Sequence, residues 1–253
     1  MNWIGLNTLI KREVGRFFSV YRQTVLPGLI SSGLYIVIFG FTLEQRIAEI
    51  QGVPYTLFIL PGLIMMNTLT NATANTSSSM LQMKLLQQLP DLLTAPLSGL
   101  EISLAYIIGG TVRGVVNGIL VLMLGMFLTD LTIANPVGTI AFIFLVSWAF
   151  ASMGLILGQI AESWDQLAMM QNFFLTPLSF LGGIFYSIKM LPEWAQSLSF
   201  INPIYYMING IRYTILGISD SSVNISFIMA VILTFVFTVA AIILMQSGKK
   251  IKQ

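Results

Sequence analysis

Seven stretches of this chain are long enough to cross a lipid bilayer and nearly free of charge. A helix needs about 20 apolar residues to span the hydrocarbon, and Val25–Leu43, Leu57–Met83, Leu131–Ala161, Gln166–Ile188 and Ser221–Gly248 hold no Asp, Glu, Lys or Arg. Ile102–Thr129 carries only Arg113, and Ile201–Ser219 only Arg212. Hydrophobic residues make up 56% of the chain and charged residues 9%, against about 25% charged in soluble domains. A bilayer is therefore the solvent to assume.

Charge placement orders these stretches. Lys and Arg collect on the cytoplasmic side of membrane proteins. Lys11, Arg12, Arg16 and Arg22 precede the first stretch, and Lys249, Lys250 and Lys252 follow the last. Both ends are then cytoplasmic, which requires an even number of crossings. Ile201–Ser219 is the weakest member, opened by Pro203 and carrying Arg212. It reads as a re-entrant segment that enters from the outer face and returns, allowed only where protein or water covers it. Inner segments then hold eight Lys or Arg, including Lys84, and outer loops hold Arg46 and Lys189. The expectation is an all-α membrane protein of a bacterial inner membrane, multi-pass, forming one domain with six transmembrane helices. An interfacial helix over 1–24 precedes a membrane body over 25–248 and a cytoplasmic tail over 249–253. No removable signal peptide is visible, because basic residues are scattered through the apolar pattern of the first 22 positions.

Three segments lie outside the spans. In the first, Leu6, Ile10, Val14, Phe17 and Tyr21 recur at steps of three or four. The basic residues fall mostly opposite, as in a helix lying on anionic lipid; such a helix serves as a topology anchor or contacts a partner. The second, Lys84–Pro96, includes Leu85, Leu86, Leu89, Leu92 and Leu93, with Asp91, between prolines. A solvated connector has no need of so much leucine, so the segment either docks on another protein or lies flat on the membrane. In the third, Pro192 and Glu193 open a short helix that sets Trp194 at the outer headgroups.

Inside the membrane, Asn67, Asn71, Asn75 and Ser78 or Ser79 form one stripe at helical spacing. They either line a pathway or join helices by hydrogen bonds. Gly110, Gly114 and Gly118, and then Gly154 and Gly158, recur at intervals of four and allow close helix approach. Arg113 lies mid-span, where an arginine costs about 2.5–3.5 kcal/mol on insertion scales. It must face a cavity or an acid, and Glu101 is more than three turns away. Arg212 reads as a structural anchor.

The exclusions are broad. The chain has no Cys and no His, which removes thiol chemistry, Ser-His triads and the usual zinc sites. No G-x-x-x-x-G-K-[ST] motif offers a nucleotide site, and no acid sits near the middle of a span to relay protons. A net charge of +2 gives no nucleic-acid footprint. A protein of this kind moves something, with energy from elsewhere.

The order of segments resembles the membrane subunit of ABC-2 type exporters over the whole chain. The most specific stretch is Leu175-Thr176-Pro177-Leu178-Ser179-Phe180-Leu181-Gly182-Gly183-Ile184-Phe185-Tyr186. It continues through Leu191-Pro192-x-Trp194, Asn202-Pro203-Ile204-Tyr205-Tyr206 and Gly210-Ile211-Arg212-Tyr213. Leu60-Pro61-Gly62 and Leu92-Leu93-Thr94-Ala95-Pro96 also match the family pattern, while Gln87 and Gln88 depart from it. The resemblance implies a permease homodimer with two separate cytoplasmic ATPase subunits, which would hold the ATP and Mg²⁺; the permease itself has no cofactor. Leu85–Ala95 would be the coupling helix, flanked by Lys84 and Pro96, and Lys11, Arg12 and Arg16 would help hold the ATPase. Gly182, Gly183, Pro192, Trp194, Pro203 and Arg212 would shape an outer gate. The alternatives from the residues themselves are an ATPase-independent channel, suggested by the asparagine stripe, and a membrane scaffold, suggested by the glycine faces.

Overall fold

The computed structural model describes residues 2–42, 47 and 49–247. Among them, α1 is Trp3–Ser19 and α2 is Tyr21–Tyr35, which continues as a π-helical turn over Ile36–Phe41. A two-residue hairpin follows, β1 Glu49–Ile50 and β2 Val53–Pro54, antiparallel with Ile50 opposite Val53. Then come α3 Tyr55–Leu85, α4 Leu89–Thr94, α5 Gly99–Leu128, α6 Pro136–Ile160 and α7 Trp164–Leu181. The chain ends with α8 Glu193–Ile201, α9 Pro203–Leu216 and α10 Val223–Ser247.

Local sequence sets most helix starts. The side chains of Asn2, Ser98, Asn135, Ser163 and Asn202 each accept a hydrogen bond from a backbone N–H in the first turn of the helix that follows. Pro136 and Pro203 sit at the first helical position, where no N–H is needed. Gly217, at φ +74°, ends α9 in the left-handed conformation that a side chain disfavours.

The long helix α3 is the axis of the molecule, and glycines decide how it is covered. A Cβ on Gly114 would lie 2.7 Å from Ser147 Oγ and 2.9 Å from the Ala72 methyl. One on Gly158 would lie 2.7 Å from the Ser77 carbonyl oxygen. Hydroxyls on α3 use this proximity: Thr76 Oγ1 donates to Ala151 O at 2.8 Å and Thr73 Oγ1 to Phe150 O at 3.2 Å. The glycine faces are thus spent within one chain, on α3 against α5 and α6. By contrast α10 presents Phe227, Ile228, Phe235 and Ile243 outward, as a lipid-facing helix does.

Several expectations change. Five helices are long and apolar enough to cross a membrane: Tyr21–Gly40, Tyr55–Leu85, Gly99–Leu128, Pro136–Ile160 and Val223–Ser247. The stretch expected as a further crossing, 166–188, is instead the 18-residue α7, which stops at Leu181. Gly183 then turns the chain at φ +82°. The polar residues Asp165, Gln166, Gln171 and Asn172 in the first half of α7 lower its hydropathy. The weak stretch 201–219 is the 14-residue α9, wrapped in protein. The N-terminal segment is not one helix, because it breaks at Val20. Its inward face is also rotated from the expected one, to Leu6, Leu9, Glu13 and Phe17. The reason is Glu13, which takes an inward position by accepting from Ser79 Oγ at 2.7 Å. Leu43, Arg46, Gly248 and the lysines at 249, 250 and 252 lie outside the described residues.

Replacing Gly158 with Ala is expected to destabilise the fold by about 1–3 kcal/mol, because the atoms the methyl meets are backbone. Gly15→Ala, where a Cβ meets nothing within 4 Å, is the control. Thermal unfolding of the purified variants checks this; equal melting of both would refute the packing account.

Candidate functional site

The first candidate region is the end of α3. Lys84 remains on that helix, and its Nζ donates to Gln159 O at 2.9 Å and Ala161 O at 2.7 Å. These are the last carbonyls of α6, where a cation suits the helix dipole. Gln87, at φ +55°, reverses the chain into α4. The short helix turns Leu89 and Leu92 into the main core, with exposures of 2% and 9%, and leaves Leu85, Leu86 and Leu93 at 45%, 55% and 38%. The expectation of a uniformly outward leucine surface is therefore corrected. Positions 89 and 92 share one face, three residues apart, and that face is the anchor. Pro90 and Asp91 are exposed beside Leu93. The segment's far end is tied back to the N-terminus, since Asn2 Nδ2 donates to Pro96 O at 3.2 Å.

The basic residues of α1 divide in the same way. Lys11 and Arg12 are exposed, the Arg12 guanidinium resting on the Met83 sulfur. Arg16 turns inward, so it is not the open surface cation expected. Its Nη2 donates to Asn75 O at 2.8 Å and Asn75 Oδ1 at 3.2 Å, and its Nε lies 3.7 Å from Glu13 Oε2. Burial of Glu13 draws Arg16 in with it.

The asparagine stripe splits too. Asn75 is committed to Arg16. Asn67 Nδ2 donates to Gly28 O at 3.0 Å and Ser32 Oγ at 3.2 Å, joining α2 to α3. Asn71 Nδ2 donates to Asn67 Oδ1 at 2.8 Å. Asn71 Oδ1 accepts from Arg113 Nε at 3.2 Å and Nη2 at 3.0 Å. Asn67, Asn71 and Arg113 line a groove of about 320 Å³ between α2, α3 and α5. Helix joining and cavity lining are thus both served by neighbouring members of one stripe.

At the opposite end of α3, Arg212 is buried, with 1% exposure. Its Nη1 lies 3.4 Å from Asp220 Oδ2, its Nη2 donates to Gly183 O at 2.6 Å, and its guanidinium carbon stands 4.1 Å from the centre of the Phe58 ring. Asp220 also accepts from Gln51 and Ser187, and its backbone N–H donates to Asn209 Oδ1 at 2.7 Å. Gly182 packs under Ile204 and Ile208 of α9. Pro203 opens α9, and Asn202 Nδ2 donates to Leu178 O at 2.6 Å. Pro192 precedes α8, on which Trp194 is 70% exposed. Gly182, Gly183, Pro203 and Arg212 are thus brought together, and Trp194 stands apart. Reading the residues alone passed over Glu13 and Asp220. An acid eight residues beyond a buried arginine, across the helix-ending Gly217, was the available signal for Asp220.

A family model described as ABC-2 type transporter matches residues 5–216. The inner membrane transport permease YadH of Escherichia coli is 37% identical over 250 residues, covering 99% of this chain and 98% of that one. Nodulation protein J of Rhizobium leguminosarum bv. viciae is 26% identical over 223 residues, covering 86% and 83%. The protein of the same name from Sinorhizobium fredii is 25% identical over 174 residues, covering 68% and 66%.

Removing one member of the Arg212–Asp220 pair leaves a buried charge alone, so Arg212→Met or Asp220→Asn is expected to cost about 3–5 kcal/mol of stability. The double variant Arg212→Met/Asp220→Leu should recover part of that. Unfolding midpoints of the four proteins check this, and additive losses would disprove the coupling.

Proposed function

The chain belongs to the ABC-2 type transporter family, and from that premise we propose that this membrane transporter subunit is the permease of an ATP-driven exporter in a bacterial inner membrane. It works as a homodimer coupled to two separate cytoplasmic ATPase subunits. The permease holds no nucleotide; ATP and Mg²⁺ bind on the partner. Its crossings are α2, α3, α5, α6, α7 and α10, with both termini cytoplasmic. At about 1.5 Å per residue, the 14 residues of α9 reach about 21 Å, short of a 30 Å hydrocarbon core. It enters from the outer face and returns, forming the gate with Gly182, Gly183 and Arg212.

The observation that carries this reading is the two-faced form of α4. Leu89 and Leu92 fix it to the core, while Leu86 and Leu93 face outward beside the exposed Leu85. An ATPase cleft that grips the outer face moves the inner face with it. Lys84, clasping the end of α6, passes that displacement to α3 and α6 together. The groove at Asn71 and Arg113 lies along the same α3. Lys11 and Arg12, open on α1, add contacts for the same subunit.

An ATPase-independent channel is the alternative, and the polar groove is what favours it. Flux in vesicles holding the permease alone distinguishes the two. The scaffold reading loses its motive, because the glycine faces are occupied within the chain.

In membranes carrying permease and ATPase, Leu86→Asp with Leu93→Asp is expected to reduce permease-stimulated ATP hydrolysis at least ten-fold at unchanged permease yield. Leu89→Asp should lower the yield itself. Undiminished hydrolysis in the outward-facing double variant would sink the coupling role. A reporter fused after Gln253 and active only in the cytoplasm should be active; inactivity would break the six-crossing topology.

A further inference from the structure

We propose that the groove between α2, α3 and α5 binds an anionic amphiphile, with Arg113 as the counter-charge for its acidic head. Among the described residues the ion pairs are Arg16–Glu13 and Arg212–Asp220. Arg113 has neither acid. It spends Nε and Nη2 on one neutral oxygen, Asn71 Oδ1, although a guanidinium carries five N–H donors. A cation at membrane depth without a carboxylate is expensive. Arg16, one turn further along the same stripe at Asn75, adds positive field rather than relieving it.

The groove wall completes the argument. No acidic residue lines it, so a cationic ligand would meet only repulsion. Gln23, Thr24, Ser31 and Thr70 supply further polar atoms near Arg113. Gln23, Ser31 and Thr70 are exposed on helices set in a membrane, a placement that requires water, protein or a polar ligand beside them. Toward the other end the wall turns apolar at Tyr35, Leu63 and Met66. Leu63 and Asn71, eight residues apart on α3, are about 12 Å apart along its axis. A volume of about 320 Å³ is at the small end of ligand sites and fits a headgroup with the first part of a chain. A phosphate or carboxylate would take the two-pronged hydrogen bonding that arginine offers.

That this ligand is cargo rests on the export reading; that an acidic amphiphile binds here does not. A membrane phospholipid and a separate acidic cargo share the required chemistry. The test uses the full chain without any ATPase, so its failure leaves ATPase coupling untouched. In phosphatidylcholine nanodiscs, retention of dodecyl phosphate, dodecyltrimethylammonium and phosphatidylglycerol is counted by native mass spectrometry. Dodecyl phosphate should be retained at least ten-fold better than the cation of equal chain length. Arg113→Met should abolish that preference and Arg113→Lys keep part of it. Ser31→Trp, at an exposed wall position that leaves Arg113 intact, should block retention in a folded protein. Phosphatidylglycerol that displaces dodecyl phosphate identifies the ligand as lipid, and failure to displace identifies a separate acidic amphiphile. Equal retention of both charges by the unsubstituted protein, or a preference surviving both Arg113→Met and Ser31→Trp, overturns the proposal.

Discussion

Hydrocarbon offers no hydrogen bonds, so each polar group on α3 must be met by another part of the chain. That requirement organises the molecule. Thr73 and Thr76 reach backbone carbonyls of α6 only because neighbouring helices lack side chains at Gly110, Gly114, Gly154 and Gly158. The hydroxyls and the glycines are one device: the first needs proximity and the second grants it. The apolar helix α10 is under no such demand and can be left to lipid.

Within that frame the deep arginines receive three different solutions. Arg212 is given a full carboxylate, an aromatic face and a backbone carbonyl, and it locks the turn at Gly183 to the connection between α9 and α10. Arg16 shares Glu13 and an asparagine, and it seats α1 against α3. Arg113 is given one amide oxygen and an open groove. The first two arrangements are closed and structural. The third leaves donors facing a space, which is where a ligand would lower the energy most.

Much of the helical plan was legible because charge and hydropathy are averages over long windows. The expected stretches 57–83, 102–129 and 221–248 fall within two or three residues of α3, α5 and the described part of α10. What escaped depends on single contacts between distant parts of the chain. Glu13 looks like part of a polar face until Ser79 stands 66 residues away in sequence with a hydroxyl for it. Leu89 and Leu92 look like Leu86 and Leu93 in any count of leucines; only the rotation imposed by Gln87 separates them. Asn67, Asn71 and Asn75 share one spacing, yet three different neighbours assign them three different tasks.

The π-helical turn at Ile36–Phe41 carries one more residue per turn than the α-helix before it. Each residue is worth about 100° around a helix axis, so this segment offsets the phase of α2 between its two ends. Below it, Ser31, Ser32 and Tyr35 are aimed at the groove. Above it, Gly40 presses on the Thr56 side chain, with a Cβ position 2.9 Å from its methyl. An unbroken α-helix could satisfy one of these alignments and would swing the other sideways by about a quarter turn. The two halves of α2 are therefore keyed separately to the same neighbour, like two teeth cut at different angles on one shaft.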